Sequence, residues 1–184
     1  MVGTIKVGKL QAADGTSNTI SLESGHKLSG AAGSLSIPGV VVQTSFHTFT
    51  DITPVTSSSY SDVGGSSFTF TPKFATSLLH ITASVHCYTY RSSTNNGGSV
   101  DINVDGSNVS ASGDAREFMV EVGGASSIYV FCRQHKEVTI SASNTNAKTI
   151  KLQMQNKTSA DSGGFRINDG NNYTSSIKVE EVAQ

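Results

Sequence analysis

The sequence predicts an all-β, antiparallel fold, and three observations carry that prediction. Apolar residues recur at every second position in several windows, the period of a strand with one face buried. Glycine-rich turn signals fall between these windows. Helical periodicity is absent, since no window keeps apolar residues at i, i+3, i+4 and i+7 over three turns. Short strands with Gly-rich connections indicate a sandwich or a barrel. A chain of 184 residues suits one ordinary domain, or a small module with a short extension.

The first segment differs from the rest. Thr4 to Leu10 and Asn18 to Leu22 are short strand candidates, followed by a Gly/Ser/Ala stretch from Ser29 to Ser36 that ends at Pro38-Gly39. Ordering costs about 1 to 2 kcal/mol per residue, which so few apolar side chains cannot offset without another surface over them. Residues 1–38 therefore read as an attachment or shaft-like arm, and residues 39–184 as a β-sandwich head.

Within the head, Phe68 and Phe70 open the pattern. Leu79, Ile81, Ala83, Val85 and Cys87 then define one face of a strand, with His80, Thr82, Ser84 and His86 on the other. Val100, Ile102 and Val104 follow, then Phe118, Val120 and Val122. Ile128, Val130 and Cys132 alternate with Tyr129 and Phe131, so both faces of that run are apolar. It is either a central strand or a strand whose second face meets another subunit. Val138, Ile140 and Ala142 come next, then Ile150, Leu152 and Met154. Ile177 and Val179 close the series with Lys178 and Glu180 outward. The turn signals are Gly64-Gly65, Gly97-Gly98, Asp105-Gly106, Gly123-Gly124, Gly163-Gly164 and Asp169-Gly170.

Thirteen basic side chains nearly balance fourteen acidic ones, so no net field gathers nucleic acid, and no block of like charge forms a tail. No apolar run reaches the roughly 20 residues of a membrane span, and the start lacks the charged and apolar regions of a secretory signal. No membrane insertion and no nucleic-acid partner are expected. Cys87 and Cys132 fall at core-facing positions, where a reduced thiol acts as a small hydrophobe. A cross-strand disulfide is the alternative.

Motifs that carry chemistry are scarce. Asp101-Ile102-Asn103-Val104-Asp105-Gly106 matches the start of a calcium loop, but the twelfth position, which needs a bidentate carboxylate, is Ser112. Strand followed by turn explains the same residues: Val100, Ile102 and Val104 inward, Asp101, Asn103 and Asp105 outward. His26, His47, His80, His86 and His135 lack metal-ligand spacing. His80 and His86 share a strand face, which three-fold copies would gather on an axis. No nucleophile elbow, phosphate loop or dinucleotide fingerprint occurs. Asp51, Asp62, Asp114, Glu117 and Glu121 read as loop and surface charges. No enzymatic activity, cofactor or metal is expected; were there an activity, a glycosidase with paired carboxylates fits best. The sequons at Asn108, Asn156 and Asn172 imply no glycan without export.

Thr4-Ile5-Lys6-Val7-Gly8-Lys9-Leu10-Gln11, then Asp14-Gly15, Asn18-Thr19-Ile20, Ser24-Gly25 and Leu35-Ser36-Ile37-Pro38-Gly39, resemble the N-terminal segment of virion structural proteins of marine and cyanobacterial tailed phages. From about Val40 onward the pattern is similar to the jelly-roll heads of phage fibres and of C1q- or TNF-like trimers. The resemblance implies a homotrimer, assembled in the bacterial cytoplasm and mounted on the virion through the arm, among other virion proteins of the tail or capsid.

On that footing, Ile5, Val7 and Leu10 are expected to be subunit contacts of the arm, and Tyr88, Tyr90, Tyr129 and Phe131 those of the head, because aromatic residues concentrate in interface cores. Intrachain packing is the alternative for the head residues. The loops Arg91 to Gly98 and Asn168 to Tyr173 offer amides and a ring that suit a host cell-surface glycan, with Asn95, Asn96, Asn171, Asn172 and Tyr173 as candidates. The expected role is a tail-fibre or receptor-binding component. The alternative is a trimeric capsid decoration or cement protein.

Overall fold

The computed structural model describes residues 38–55, 57–91, 96–110, 118–120, 128–156, 165–168 and 173–184. The arm, and with it Ile5, Val7 and Leu10, lies outside the described residues. All the described residues fall within the unit Ser36–Gln184.

The described residues are all-β and contain no helix. Twelve strands follow in order: β1 (Val41–Phe49), β2 (Thr53–Val55), β3 (Ser61–Asp62), β4 (Phe68–Phe70), β5 (Leu78–Arg91), β6 (Asn96–Val104), β7 (Ser107–Asn108), β8 (Phe118–Val120), β9 (Ile128–Ser141), β10 (Lys148–Asn156), β11 (Phe165–Ile167) and β12 (Ser175–Val182). They form two antiparallel sheets of six strands. The first runs β1-β12-β5-β9, with β11 and β2 continuing beyond β12 along the same edge of β5. In the second, β10 pairs β6 on one edge and β4 then β3 on the other, while β7 and β8 share the far edge of β6. The sheets share one hydrophobic core, as in a β-sandwich.

Alternation places that core where the sequence expects it. Leu79, Ile81, Ala83, Val85 and Cys87 of β5 are fully buried, facing Val100 and Ile102 of β6 and Ile150, Leu152 and Met154 of β10. Fully burying an aliphatic side chain of this size contributes about 1.5 to 3 kcal/mol. The Asp105-Gly106 turn is also as expected: both residues have positive φ, 50° and 88°, and Val104 faces Ser107 across a two-residue hairpin.

Several expectations change. Gly97 and Gly98 are not a turn but lie inside β6, where a Cβ on Gly98 would sit 2.2 Å from the Gln155 carbonyl and 2.6 Å from the Phe165 ring. The glycine is there so that a ring of one sheet can reach the backbone of the other. Asp101 and Asn103 lie on the face opposite the core, yet both are buried. The chain after β7 folds back on them: Ser110 donates its N–H and hydroxyl to Asp101 Oδ1, and Asn103 bonds Asn108 at 2.6 Å and the Gly106 N–H at 3.1 Å. The runs at Ile128 and Val138 are one strand rather than two, and among the described residues β9 pairs with β5 alone, at the edge of its sheet. Gly123-Gly124, Gly163-Gly164 and Asp169-Gly170 lie outside the described residues, as do Asp114, Glu117, Glu121 and Val122.

Both central strands meet two shorter partners end to end along one edge, and a serine bridges each junction. Between β12 and β11, the His86 N–H donates to Ser175 Oγ at 2.9 Å and its carbonyl accepts the Asn168 N–H at 3.0 Å. Between β4 and β3, the Leu152 N–H donates to Ser66 Oγ at 3.1 Å and its carbonyl accepts the Val63 N–H at 3.0 Å. Each serine hydroxyl also donates, Ser175 to Asn168 Oδ1 at 2.7 Å and Ser66 to the Val63 carbonyl at 2.7 Å. The ladder is thus completed where no strand residue is available.

Glu181 is a fully buried carboxylate on the core-facing side of β12. It accepts the Lys73 and Phe74 N–H groups at 2.9 Å, the Ser77 hydroxyl at 2.6 Å and the Gln43 amide at 2.6 Å, clamping the turn before β5 to the end of the sheet. Burial pushes its pKa up, but the bonds from Ser77, Lys73, Phe74 and Gln43 together outweigh burial and hold it below its ordinary 4.5.

Replacing Ser66→Ala leaves the Leu152 N–H buried without an acceptor, and chemical denaturation should register a loss of about 1 to 3 kcal/mol. Because the Glu181 pKa is lowered by folding, its stabilisation is complete above 4.5 and is lost as the pH falls through the folded value. Glu181→Gln should therefore lower stability by about 2 kcal/mol at neutral pH and flatten the acid limb of a stability-against-pH curve.

Candidate interaction face

The face of the first sheet that points away from the core is built by register. Directly opposed residues of antiparallel strands share a face, so the pairings define rows across the sheet. Phe46, Lys178, Thr82 and Glu137 form one row; Thr44, Glu180, His80 and Thr139 another; Thr48, Ser176, Ser84 and His135 a third. Further along β5, His86 stands beside Arg133, and Pro54, Arg166, Tyr88 and Phe131 make the last row.

Two phenylalanines are left open here, at opposite edges, and Val41 of β1, opposite Val182, is 48% exposed as well. Phe46 on β1 is 64% exposed and Phe131 on β9 is 51% exposed. Phe131 belongs to an aromatic group. Its ring lies 5.0 Å from Tyr88 and 6.1 Å from Tyr173, and Tyr173 stacks on His86 at 3.8 Å with the planes 18° apart. The Arg166 guanidinium sits 6.0 Å from the centre of the Tyr88 ring, and Tyr88 is only 7% exposed.

Several polar side chains of the face have partners within the chain. His80 Nε2 lies 3.2 Å from Glu137, His135 Nε2 is 4.0 Å from the same carboxylate, and Lys178 pairs with Glu180 at 3.0 Å. Arg133 donates to Ser84 Oγ at 3.0 Å and to the Thr174 carbonyl at 3.3 Å. A face whose polar groups already have partners can be covered by another surface with a smaller desolvation penalty than one of lone charges. Among the described residues no three His, Cys, Asp or Glu side chains are grouped to hold a metal ion.

His86 is the most perturbed group of this face. Its Nδ1 is shut from water without a hydrogen-bond partner among the described residues. Burial, and then the Arg133 charge, lower its pKa below 6.5, so the neutral ring is the form held under Tyr173.

The expected site residues are only partly brought together. Tyr88 and Phe131 are opposed and in contact, and Tyr90 faces Tyr129 on the same ladder by backbone pairing. Tyr173, expected in a glycan loop, instead packs on this aromatic group. Asn96 is the first residue of β6 and pairs Val120 rather than standing in a loop. Asn95, Asn171 and Asn172 lie outside the described residues. Sequence reading misses Phe46, Arg133 and Arg166. For Phe46 a signal exists, an aromatic residue on the opposite parity from Phe49, but β1 is hard to see because its core-side positions 45 and 47 are Ser and His.

No protein-family model matches the chain, and no curated protein matches it.

Tyr173→Ala uncovers His86. An NMR titration of the ring should show its pKa rising toward 6.5 relative to the unsubstituted protein. With the folded pKa lowered, neutral His86 stabilises the fold above 6.5 and that contribution declines as the pH falls below it, so the same variant should lose part of the stability change between neutral pH and about 5.

Proposed function

We propose that this chain is a homotrimeric virion structural protein of a tailed phage, a tail-fibre or receptor-binding component whose head assembles through the outer face of the first sheet. The observation that carries the assembly is the placement of Phe46 and Phe131 at the two opposite edges of one sheet. A surface that meets a copy of itself about a two-fold axis is self-complementary, whereas unlike patches at opposite edges match head to tail, and a rotation of one third of a turn between copies closes that contact into a three-membered ring. The Phe131 edge of one copy lies against the Phe46 edge of the next.

The strand order supports reading the head as a jelly roll. The principal strands pair as β1 with β12, β4 with β10, β5 with β9 and β6 with β8, nested antiparallel pairs of one long hairpin rolled into two sheets. C1q- and TNF-like heads, to which the sequence pattern is similar, are trimers of this architecture. The phage setting rests on the resemblance of residues 1–38, which act as the arm that fastens the trimer to the particle, the loops facing a host surface glycan.

Light scattering at micromolar concentration should give about three times the 19.2 kDa of one chain. Phe131→Asp, at an exposed position, should leave the monomer folded by circular dichroism and weaken association by about 30-fold or more. A monomeric unsubstituted protein overturns the trimer. Gold labelling of virions should mark the tail; label spread over the head shell would replace the fibre reading with the capsid-decoration one.

A further inference from the structure

Cys87 and Cys132 are opposite one another on the β5·β9 ladder. Both are free thiols on the core side of the sheet, Cys87 buried and Cys132 half-buried at the edge strand. The type of rung follows from the neighbouring residue. The His86 N–H and carbonyl both point away from β9, to Ser175 and Asn168. The next residue, Cys87, therefore turns both of its backbone groups toward β9, which makes Cys87 and Cys132 a hydrogen-bonded pair. In such a pair the Cα atoms are about 5.5 Å apart, inside the roughly 4.4 to 6.8 Å that a disulfide spans. The Cβ atoms, about 5.5 Å apart, must approach by roughly 1 Å to reach bonding geometry. β9 has one strand partner among the described residues and is the element free to make that move.

We propose that Cys87 and Cys132 are a dithiol site which a small disulfide of the oxidised-glutathione class converts into a reversible cross-strand disulfide. The bond staples the edge strand β9 to β5 one rung from the Tyr88 and Phe131 pair.

The two sulfurs have distinct roles. The Cys87 thiol faces the Cys132 sulfur and, at 3.8 Å, the Val85 carbonyl. Donation from Cys87, opposed by burial and aided by the Gln134 amide 3.6 Å away, lowers the Cys132 pKa to about 7. Cys132, half-buried where Cys87 is fully buried, is the attacking thiolate. It displaces one glutathione thiolate from the oxidised dimer and becomes a mixed disulfide. The Cys87 pKa is raised first by its bond to Cys132 and then by burial, and capping Cys132 removes the first cause. Cys87 then gives its proton to solvent and attacks the Cys132 sulfur, expelling the second glutathione thiolate. Two protein thiols are oxidised and one glutathione disulfide is reduced to two thiols, so electrons and protons balance. The closure needed at the Cβ atoms strains the product, which makes the bond one that dithiothreitol reopens readily.

The test uses the native full chain. After incubation with oxidised glutathione at mildly alkaline pH, the glutathione is removed at low pH, the chain is unfolded in denaturant with excess maleimide so that the buried Cys87 is reached as well, and the intact mass is read. The expected result is complete loss of labelling at both cysteines, a mass lower by two hydrogens, and restoration of both labels after dithiothreitol. Cys87→Ser should stop at a glutathione adduct on Cys132, and Cys132→Ser should gain none. Both cysteines still labelled, a glutathione adduct that persists on the unsubstituted chain, or bonding only between chains on a non-reducing gel would each overturn the proposal. Because the unsubstituted protein gives the deciding mass, a variant that fails to fold does not blunt the result.

Discussion

The head depends on a dry seam between two strands that have no open edge. β5 and β10 each carry an unbroken row of fully buried apolar side chains, Leu79 to Cys87 on one and Ile150 to Met154 on the other. A strand in that position must have every backbone group paired, because water cannot reach it. The long neighbours, β9 for β5 and β6 for β10, satisfy one edge of each. On the other edge the chain supplies two short strands in succession, and the gap between them falls in the middle of the seam.

Ser175 with Asn168, and Ser66 with Val63, fill those gaps with the same device: a hydroxyl accepts the central strand's N–H and a backbone N–H serves its carbonyl. Asn168 adopts a positive φ of 54° and its amide also reaches the Phe49 carbonyl at 3.2 Å, so one residue ties β11, β12 and the end of β1 together. Glu181 closes the end of the first sheet by the same logic with a charge in place of a hydroxyl. A carboxylate offers acceptor sites enough for the Lys73 and Phe74 N–H groups, Ser77 and Gln43 at once. These buried polar groups are structural, and each is defined by the donors that the turn before β5 or a strand junction leaves over.

With the interior accounted for, the unspent chemistry lies on the outer face of the first sheet. Several of its polar side chains have partners within the chain, its aromatic group is half covered by its own chain, and its two open phenylalanines stand at opposite edges. The thiol pair lies one rung along the ladder from Phe131 and on the reverse side of the sheet. A change at β9 is therefore felt at the Phe131 end of that face, since the strand carries both.

Periodicity alone determined the all-β class and the main core, because a residue's parity in a strand fixes its face wherever one side meets water and the other does not. Leu79 to Cys87, Val100 to Val104 and Ile150 to Met154 were legible for that reason. The Asp105-Gly106 hairpin was legible because the backbone requires positive φ there. Parity fails at the margins. β1 and the middle of β9 place Ser45, His47, Gln134 and Lys136 on the core side near the rim of the sheet, where burial is partial and polar residues are tolerated. Glu181 sits at core parity, a visible anomaly, but its meaning needs the turn 108 residues earlier in the chain that supplies Lys73 N–H. Gly98 reads as a turn until the Phe165 ring is seen against it. Only the tertiary structure decided which strands are neighbours, that Tyr173 lies on His86, and that Cys87 faces Cys132, since register is set by contacts between segments far apart in the chain and a local pattern holds no record of its partner.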